Sequence, residues 1–328
     1  MKKSIQAWVM SIFIGVIIPW IVFSIADKIH LNQNPEERTS QSDETTIKPH
    51  VSNDCSDRIP VQKKDGTVEY MGINTYLVGV VLGEMPVSFH EEALKAQAVV
   101  ARTYTLKRFT NGQKHAMGAV CTESSCCQAY QSPTVFLENG GGEENLKKVI
   151  TAVNSTSEEV LYYDGVLIEA TYFSCSGGKT EDALAVWGSD IPYLQSVESP
   201  GEEGAAYYTD SMKYSLDEFA RLLGIHGESS SEKWIGEITY TDGGGVNEMY
   251  IAGTKYTGVE LRKKLSLRST AFSISVVGDT VYITTRGFGH RVGMSQYGAD
   301  AMASSGSTYR EILSHYYPGT TLASYSYD

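Results

Sequence analysis

The chain has 328 residues, enough for one large domain or two small ones, each with its own core. It carries 39 Asp and Glu against 27 Lys and Arg, a net charge of −12, and no basic stripe, which argues against a nucleic-acid partner whose phosphates require clustered cations. With 21 Tyr, 4 Trp and 31 Gly, it has the profile of a loop-rich globular protein with a polar-aromatic groove suited to carbohydrate, or of one with a Tyr-rich core and surface.

Lys2-Lys3 precede an uncharged run from Ile5 to Ala26, closed by Asp27-Lys28. At ~1.5 Å per residue the run reaches across a ~30 Å hydrocarbon layer. Two Lys before it and few charges after it predict a cytoplasmic head at residues 1–4, a membrane anchor at 5–26 and the bulk of the chain outside the cytosol. Ser24-Ile25-Ala26 supports a second reading, a cleaved signal peptide, although the run exceeds the usual length of such a core. Residues 27–58 are polar, with Pro35 and Pro49, and are expected to form a flexible stalk.

The folded part is expected at 59–328. A short strand and turn from Val61 to Tyr70, with Asp65-Gly66 at the turn, lead into the apolar segment that ends at Glu84. Ser88-Phe89-His90-Glu91 fits a capping box, starting a helix that runs to about Phe109 before Asn111-Gly112. A cysteine-rich loop follows, then Gly140-Gly141-Gly142 and a helix from about Glu143 to Thr156. Strands at 160–163 and 166–173 flank the turn Asp164-Gly165. Residues 202–270 are expected to form an inserted subdomain with capped helices at Ser215-x-x-Glu218 and Thr257-x-x-Glu260 around a hairpin turning at Asp242–Gly245. Strands around Gly278-Asp279 precede Arg286–His290, and two helices at about 293–304 and 308–316 close the chain. The expected class is α+β: mixed strands and short helices in a two-lobed exported domain with a substrate groove, preceded by one transmembrane helix.

Five places could carry chemistry. Glu84 is a lone carboxylate in Val80–Pro86, and burial among apolar side chains would raise its pKa and let it hold a proton at neutral pH. The plain alternative is a solvated turn residue. Lys95 and Arg102, two helical turns apart, could meet a polar or anionic sugar, or be solvated charges. His115, Cys121, Cys126 and Cys127 offer zinc-type ligands in no standard finger spacing. The alternative is a disulfide from Cys121 to Cys126 or Cys127, although five cysteines in all cannot pair completely. Cys175, beside Ser176-Gly177-Gly178 with His290 as a distant base, allows a thiol peptidase; a strand end followed by a turn is the simpler reading. In Gly287–Gly298 the glycines permit close backbone approach to a ligand, while His290, Ser295, Gln296 and Tyr297 supply polar groups and an aromatic face.

Several stretches, taken in order, resemble the stage II sporulation protein D family, glycan-cleaving sporulation proteins that share a domain with amidase enhancers. They are Gly83-Glu84-Met85-Pro86 through Ala93–Ala98 to Ala101–Tyr104; Ser176–Thr180 with Val186-Trp187-Gly188 and Pro192–Val197; Leu267–Thr270; Gly289-His290 through Met294–Ala299; and His315–Thr320. The resemblance spans about 70 to 320. It implies a lytic transglycosylase acting on peptidoglycan, with Glu84 as the catalytic acid and base, cutting between N-acetylmuramic acid and N-acetylglucosamine to leave a 1,6-anhydro sugar. It also implies that Lys95 and Arg102 lie near the substrate, with Ser176, His290, Ser295, Gln296 and Tyr297 as further binding residues. A structural zinc is implied at Cys121 and Cys127, with Cys126 where the family carries a histidine and His115 as a further ligand candidate. Arg291 stands where the family usually has Gly. The implied partners are glycan strands denuded of peptides, an amidase–endopeptidase and another membrane protein of engulfment, at the septal membrane of a sporulating cell. A wall-binding amidase enhancer without catalysis is the alternative function.

Overall fold

The computed structural model describes residues 57–111, 114–225 and 234–327. The expected head, anchor and nearly all of the stalk, with Cys55, lie outside those residues. Among the described residues no helix is long and apolar enough to cross a membrane.

Strand β1 (Arg58–Gln62) pairs antiparallel with β2 (Val68–Gly72) across the Asp65-Gly66 turn. The apolar segment that follows is a helix, α1 (Ile73–Glu84). Its Ile, Leu and Val residues leave no polar face, and such a helix is stable only when buried all round. Glu84 is its last residue.

The long helix α2 (Glu91–Asn111) runs through the centre of the main lobe. Its start differs from the expected capping box. The helix begins at Glu91, and His90 rather than Ser88 caps it, Nδ1 accepting from the Glu92 amide at 3.2 Å. The His90 amide is held by Asp300 at 2.7 Å, so a distant contact sets the boundary. Small residues on α2 (Ala93, Ala96, Ala98, Ala101) are fully buried and allow neighbouring helices to approach closely.

Strand β3 (Val120–Cys121) adds parallel to β1. Helix α3 (Pro133–Glu138), absent from the sequence reading, is capped by Ser132, and α4 (Glu143–Ser155) packs against α1 and α2. Strands β4 (Glu159–Tyr163) and β5 (Val166–Leu167) form the expected hairpin. The second strand, however, stops at Leu167. Chain pairing resumes at β6 (Tyr172–Phe173), which joins a different sheet altogether. A short helix α5 (Ala183–Trp187) follows.

A second apolar cluster, separate from the main one, is built from residues between Phe219 and Ile283. Around it lie β7 (Thr209–Ser215), α6 (Leu216–Leu223), β8 (Ile235–Tyr240), β9 (Val246–Ile251), β10 (Thr254–Thr257), α7 (Gly258–Lys264), β11 (Phe272–Val277) and β12 (Thr280–Arg286). Ser215 and Thr257 cap α6 and α7, Thr257 with a complete capping box. The strands form two three-stranded sheets, β10-β9-β8 and β11-β12-β7.

The chain then returns to the main lobe through β13 (Met294–Ser295), α8 (Gln296–Ser304), α9 (Tyr309–Tyr316) and β14 (Thr321–Ser324), which pairs with β4. The decisive connection is parallel: Met294 lies opposite Tyr172 and Ser295 opposite Phe173. Isolated bridges at Cys175–Phe288 and Glu181–Val292 extend that seam. The class is α+β, with helices and strands mixed throughout.

Candidate active site and metal cluster

The seam opens onto a cavity of about 670 Å³. Its walls come from the end of α1 (Gly83, Glu84), from Tyr104, from the loop through Ser124, Cys127 and Ala129, from residues 170–174 around β6, and from Phe288–His290 and Gln296. Glu84 is the only carboxylate among these lining residues.

Two glycines put Glu84 there. A Cβ on Gly83 would lie 2.8 Å from the Tyr130 nitrogen and 2.9 Å from the Ala129 carbonyl carbon, and one on Gly79 would enter the Tyr130 ring. Without them the loop at 129–131 could not close on α1. Because it does, the Ala129 amide reaches Glu84 Oε1 at 2.5 Å.

The Glu84 carboxyl is half-buried, and burial raises its pKa above the ordinary carboxylate range. Its place at the carbonyl end of α1, where the helix dipole is negative, acts in the same direction. Hydrogen bonds from the Ala129 amide, Tyr172 and Gln296 act against it without cancelling the effect of burial. The single Tyr172 hydroxyl proton goes to Gln128 Oε1 at 3.2 Å in this structure and turns to Glu84 when that carboxyl is charged; burial, followed by the nearby Glu84 charge, holds the phenol well above its usual value. An acid with a raised pKa and donors aimed at its anion is suited to giving up a proton and taking one back.

His290 also lines the cavity. Burial, reinforced by the Arg262 charge, lowers its pKa to about 4, so the imidazole is neutral at pH 7. Its Nδ1 accepts from the Val292 amide at 3.1 Å, and the ring packs between Phe173 and Trp187. Gln296, first residue of α8, completes the polar part of the wall.

The remaining candidates lie elsewhere. Ser176 and Ser295 do not line the cavity; they converge on Glu202, a buried carboxylate. Its Oε2 accepts from the Ser176 amide (2.8 Å), the Ser176 hydroxyl (2.9 Å), the Gly177 amide (3.0 Å) and the Cys175 thiol (3.1 Å). Its Oε1 accepts from Ser199 (2.7 Å) and Ser295 (2.6 Å). Since Ser295 also caps α8, this knot fixes where Gln296 begins. Tyr297 packs edge-on against Phe89 and Tyr207.

Arg102, expected near the substrate, lies outside the cavity wall. It is fully buried, and its guanidinium donates to the carbonyls of Val153, Thr156 and Glu159 and to Asn74 Oδ1. Lys95 is likewise committed, paired with Glu91 at 2.9 Å and Glu92 at 2.8 Å, and neither residue lines the cavity. The thiol-peptidase reading also falls. Cys175 is fully buried against the Glu202 carboxylate rather than a base, and burial pushes its thiol to about 12. Arg291 adopts φ +68°, a conformation that favours glycine, yet it is held there by carbonyls of Ser176 (2.8 Å), Lys179 (2.7 Å) and Gly243 (2.7 Å). It lies outside the cavity wall. Other carboxylates of this region are engaged elsewhere: Glu169 is bound by Lys107 and Arg108, Glu181 lies 3.8 Å from Arg291, Asp182 caps α5, and Glu198 faces Lys179.

Beside the cavity, His115, Cys121, Cys126 and Cys127 bring one nitrogen and three sulfurs within 4.8 Å of one another. His115 Nε2 lies 3.3 Å from Cys126 Sγ and 3.6 Å from Cys127 Sγ. Ligands of a tetrahedral zinc, at 2.0–2.3 Å from the ion, stand roughly 3.5 Å apart, so this donor set fits one metal of that class. All four described cysteines are free thiols. A turn closed by Glu123 O, which accepts from the amides of Cys126 and Cys127, lets adjacent cysteines share one centre. Cys127 belongs to both the cluster and the cavity wall.

Sequence reasoning missed Tyr172, Gln128, Ala129 and Glu202. Tyr172 alone had a signal, standing three residues before the Cys175 that drew attention.

Comparison with known proteins places the chain. The family profile described as stage II sporulation protein matches residues 61–163. Stage II sporulation protein D of Bacillus amyloliquefaciens is 39% identical over 271 residues, covering 81% of this chain and 78% of that protein. The protein of the same name from Bacillus subtilis (strain 168) is 40% identical over the same shares. The amidase enhancer of Bacillus subtilis is 31% identical over 76% of this chain and 40% of its own length. The chain belongs to the stage II sporulation protein D family.

Proposed function

We propose that this member of the family is a lytic transglycosylase of peptidoglycan, held at the sporulating cell's membrane by residues 5–26. The observation that carries the reading is Glu84, the one carboxylate among the described residues that line the cavity, with its raised pKa. Hydrolysis of a glycosidic bond ordinarily needs two carboxyls at a set separation, one for the leaving group and one for water or the sugar. One carboxyl suffices when the substrate's own hydroxyl is the nucleophile. Glu84 protonates the oxygen linking N-acetylmuramic acid to N-acetylglucosamine, and that bond breaks. The same carboxylate then accepts the proton of the muramic 6-hydroxyl as that oxygen bonds to C1. The product is a 1,6-anhydro sugar, and no water is consumed. Tyr172 and Gln296 hydrogen-bond Glu84 while it is an anion between the two transfers.

His115, Cys121, Cys126 and Cys127 would hold a zinc ion with a full set of protein ligands, which suits a structural role. Bound there, the ion ties the loop at 115–127 together beside Glu84. The partners that follow from kinship are peptide-free glycan strands and, at the engulfing membrane, an amidase–endopeptidase with a further membrane protein.

The test is the mass of the sugar product. Peptide-free glycan strands incubated with the purified chain yield anhydro-ended fragments, and Glu84→Gln abolishes them with the circular dichroism unchanged. Fragments one water heavier reject the reading in favour of hydrolysis. The similarity to an amidase enhancer supports a second reading, wall binding without cleavage. Strand binding with no product, indifferent to Glu84→Gln, selects it.

A further inference from the structure

Phe288, whose ring forms part of the cavity wall, remains 39% exposed, and Tyr207 beside it 40%. Their centroids are 5.4 Å apart. The Arg268 guanidinium lies over both rings, at 5.5 Å from Tyr207 and 5.8 Å from Phe288. Asp210 engages its Nε at 3.1 Å, which leaves the two terminal amino groups available to a ligand. The three residues come from separate segments, yet their backbones are fastened together. Phe288 exchanges main-chain bonds with Cys175 at 2.7 and 3.1 Å, Gly287 donates to Tyr208 at 2.8 Å, and Gly289 donates to Arg268 at 3.0 Å. Two aromatic rings fixed by rigid backbone but left open to solvent are costly to keep exposed, and such surfaces mark ligand sites.

We propose that Tyr207, Phe288 and Arg268 form a sugar-binding subsite continuous with the Glu84 cavity, taking an N-acetylated sugar that bears a carboxylate. This deepens the transglycosylase reading and rests on it. The flat rings offer an apolar surface to the C–H face of a pyranose, leaving the sugar hydroxyls in water. The planar guanidinium, with two free amino groups, matches a carboxylate such as the lactyl group left on muramic acid once its peptide has gone. Continuity with the cavity favours a strand over another protein: Phe288 belongs to both surfaces, so a chain of sugars held on the rings passes directly to Glu84.

The test uses calorimetric titration into the full chain carrying Glu84→Gln, which binds without turnover. The probes are a soluble peptide-free glycan strand and an N-acetylglucosamine oligomer of equal length, which lacks carboxylates. Tyr207→Ala weakens binding of both by about tenfold or more, and Tyr207→Phe, which keeps the ring, restores it. Arg268→Gln weakens the glycan strand by about tenfold and leaves the neutral oligomer unchanged. Affinities within about twofold of the parent for Tyr207→Ala and Phe288→Ala overturn the subsite. So does an equal loss of both probes on Arg268→Gln, or a Tyr207→Ala effect confined to self-association in sedimentation. Failure of the catalytic reading looks different: with Glu84 intact no anhydro product forms, while the ring variants still lose binding.

Discussion

The main-chain amide of Ala129 donates to Glu84 Oε1 across 2.5 Å, so the carboxylate at the end of α1 is held by the loop that leaves Cys127. The proposed acid and the sulfur cluster are therefore mechanically joined through two residues of chain. What happens to the cluster reaches Glu84 through this bond and through Gln128, the neighbour of Tyr172.

The first prediction concerns stability and pH. Burial raises the Glu84 pKa above its unfolded value of about 4.3. A carboxyl shifted upward is harmless below its unfolded pKa and lowers stability as pH rises through its folded pKa. Glu84→Gln is therefore as stable as the parent near about pH 4 and melts higher near about pH 8, by calorimetry. Equal melting at both values would mean that the anion is freely solvated in the folded chain.

Tyr172 stabilises the Glu84 anion by a hydrogen bond and so lowers its pKa relative to burial alone. Tyr172→Phe removes that bond, and the alkaline limb of kcat/KM, set by loss of the acid proton, moves to higher pH. Turnover at the optimum falls by roughly tenfold, the effect of one hydrogen bond of about 1.4 kcal/mol at the reacting group. An unmoved alkaline limb takes Tyr172 out of the site.

Zinc is expected at about one equivalent per chain in protein purified without chelator, by elemental analysis. Removing it, or replacing Cys121 by Ser, releases the loop and weakens the Ala129–Glu84 bond. Activity falls by about tenfold or more, while the second lobe keeps its melting transition. Metal-free protein with cysteines joined in a disulfide sinks this expectation.

Arg102 belongs to the core. Arg102→Met removes the donor shared by the Val153, Thr156 and Glu159 carbonyls, at about 1–3 kcal/mol for each bond that nothing replaces. Urea unfolding should show a loss of more than ~3 kcal/mol, whereas the folded fraction retains the parent's KM. A raised KM with unchanged stability would return Arg102 to the substrate.

Much of the local architecture was legible from neighbouring residues. Ser215 and Thr257 announced α6 and α7 because a hydroxyl placed just before a helix satisfies free amides wherever the fold puts it. Asp164-Gly165 and Gly278-Asp279 marked hairpins for a similar reason, since few residues tolerate positive φ. Two expectations failed where a distant contact intervened. His90 displaced Ser88 as the cap because Asp300 holds its amide, and the strand expected through Phe173 broke because β13 offered Tyr172 another partner.

The sequence alone determined the caps of α6 and α7, the hairpin turns, the spacing of four metal-type ligands and the isolation of one glutamate on an apolar segment, all properties of residues a few positions apart. Only the tertiary structure decided which side chains share a cavity. The parallel pairing of β6 with β13 carries Phe288, His290 and Gln296 to Glu84, and the same packing turns Arg102 toward carbonyls and Ser176 and Ser295 toward Glu202. Direction and burial depend on partners remote along the chain, and local preference contains no record of them.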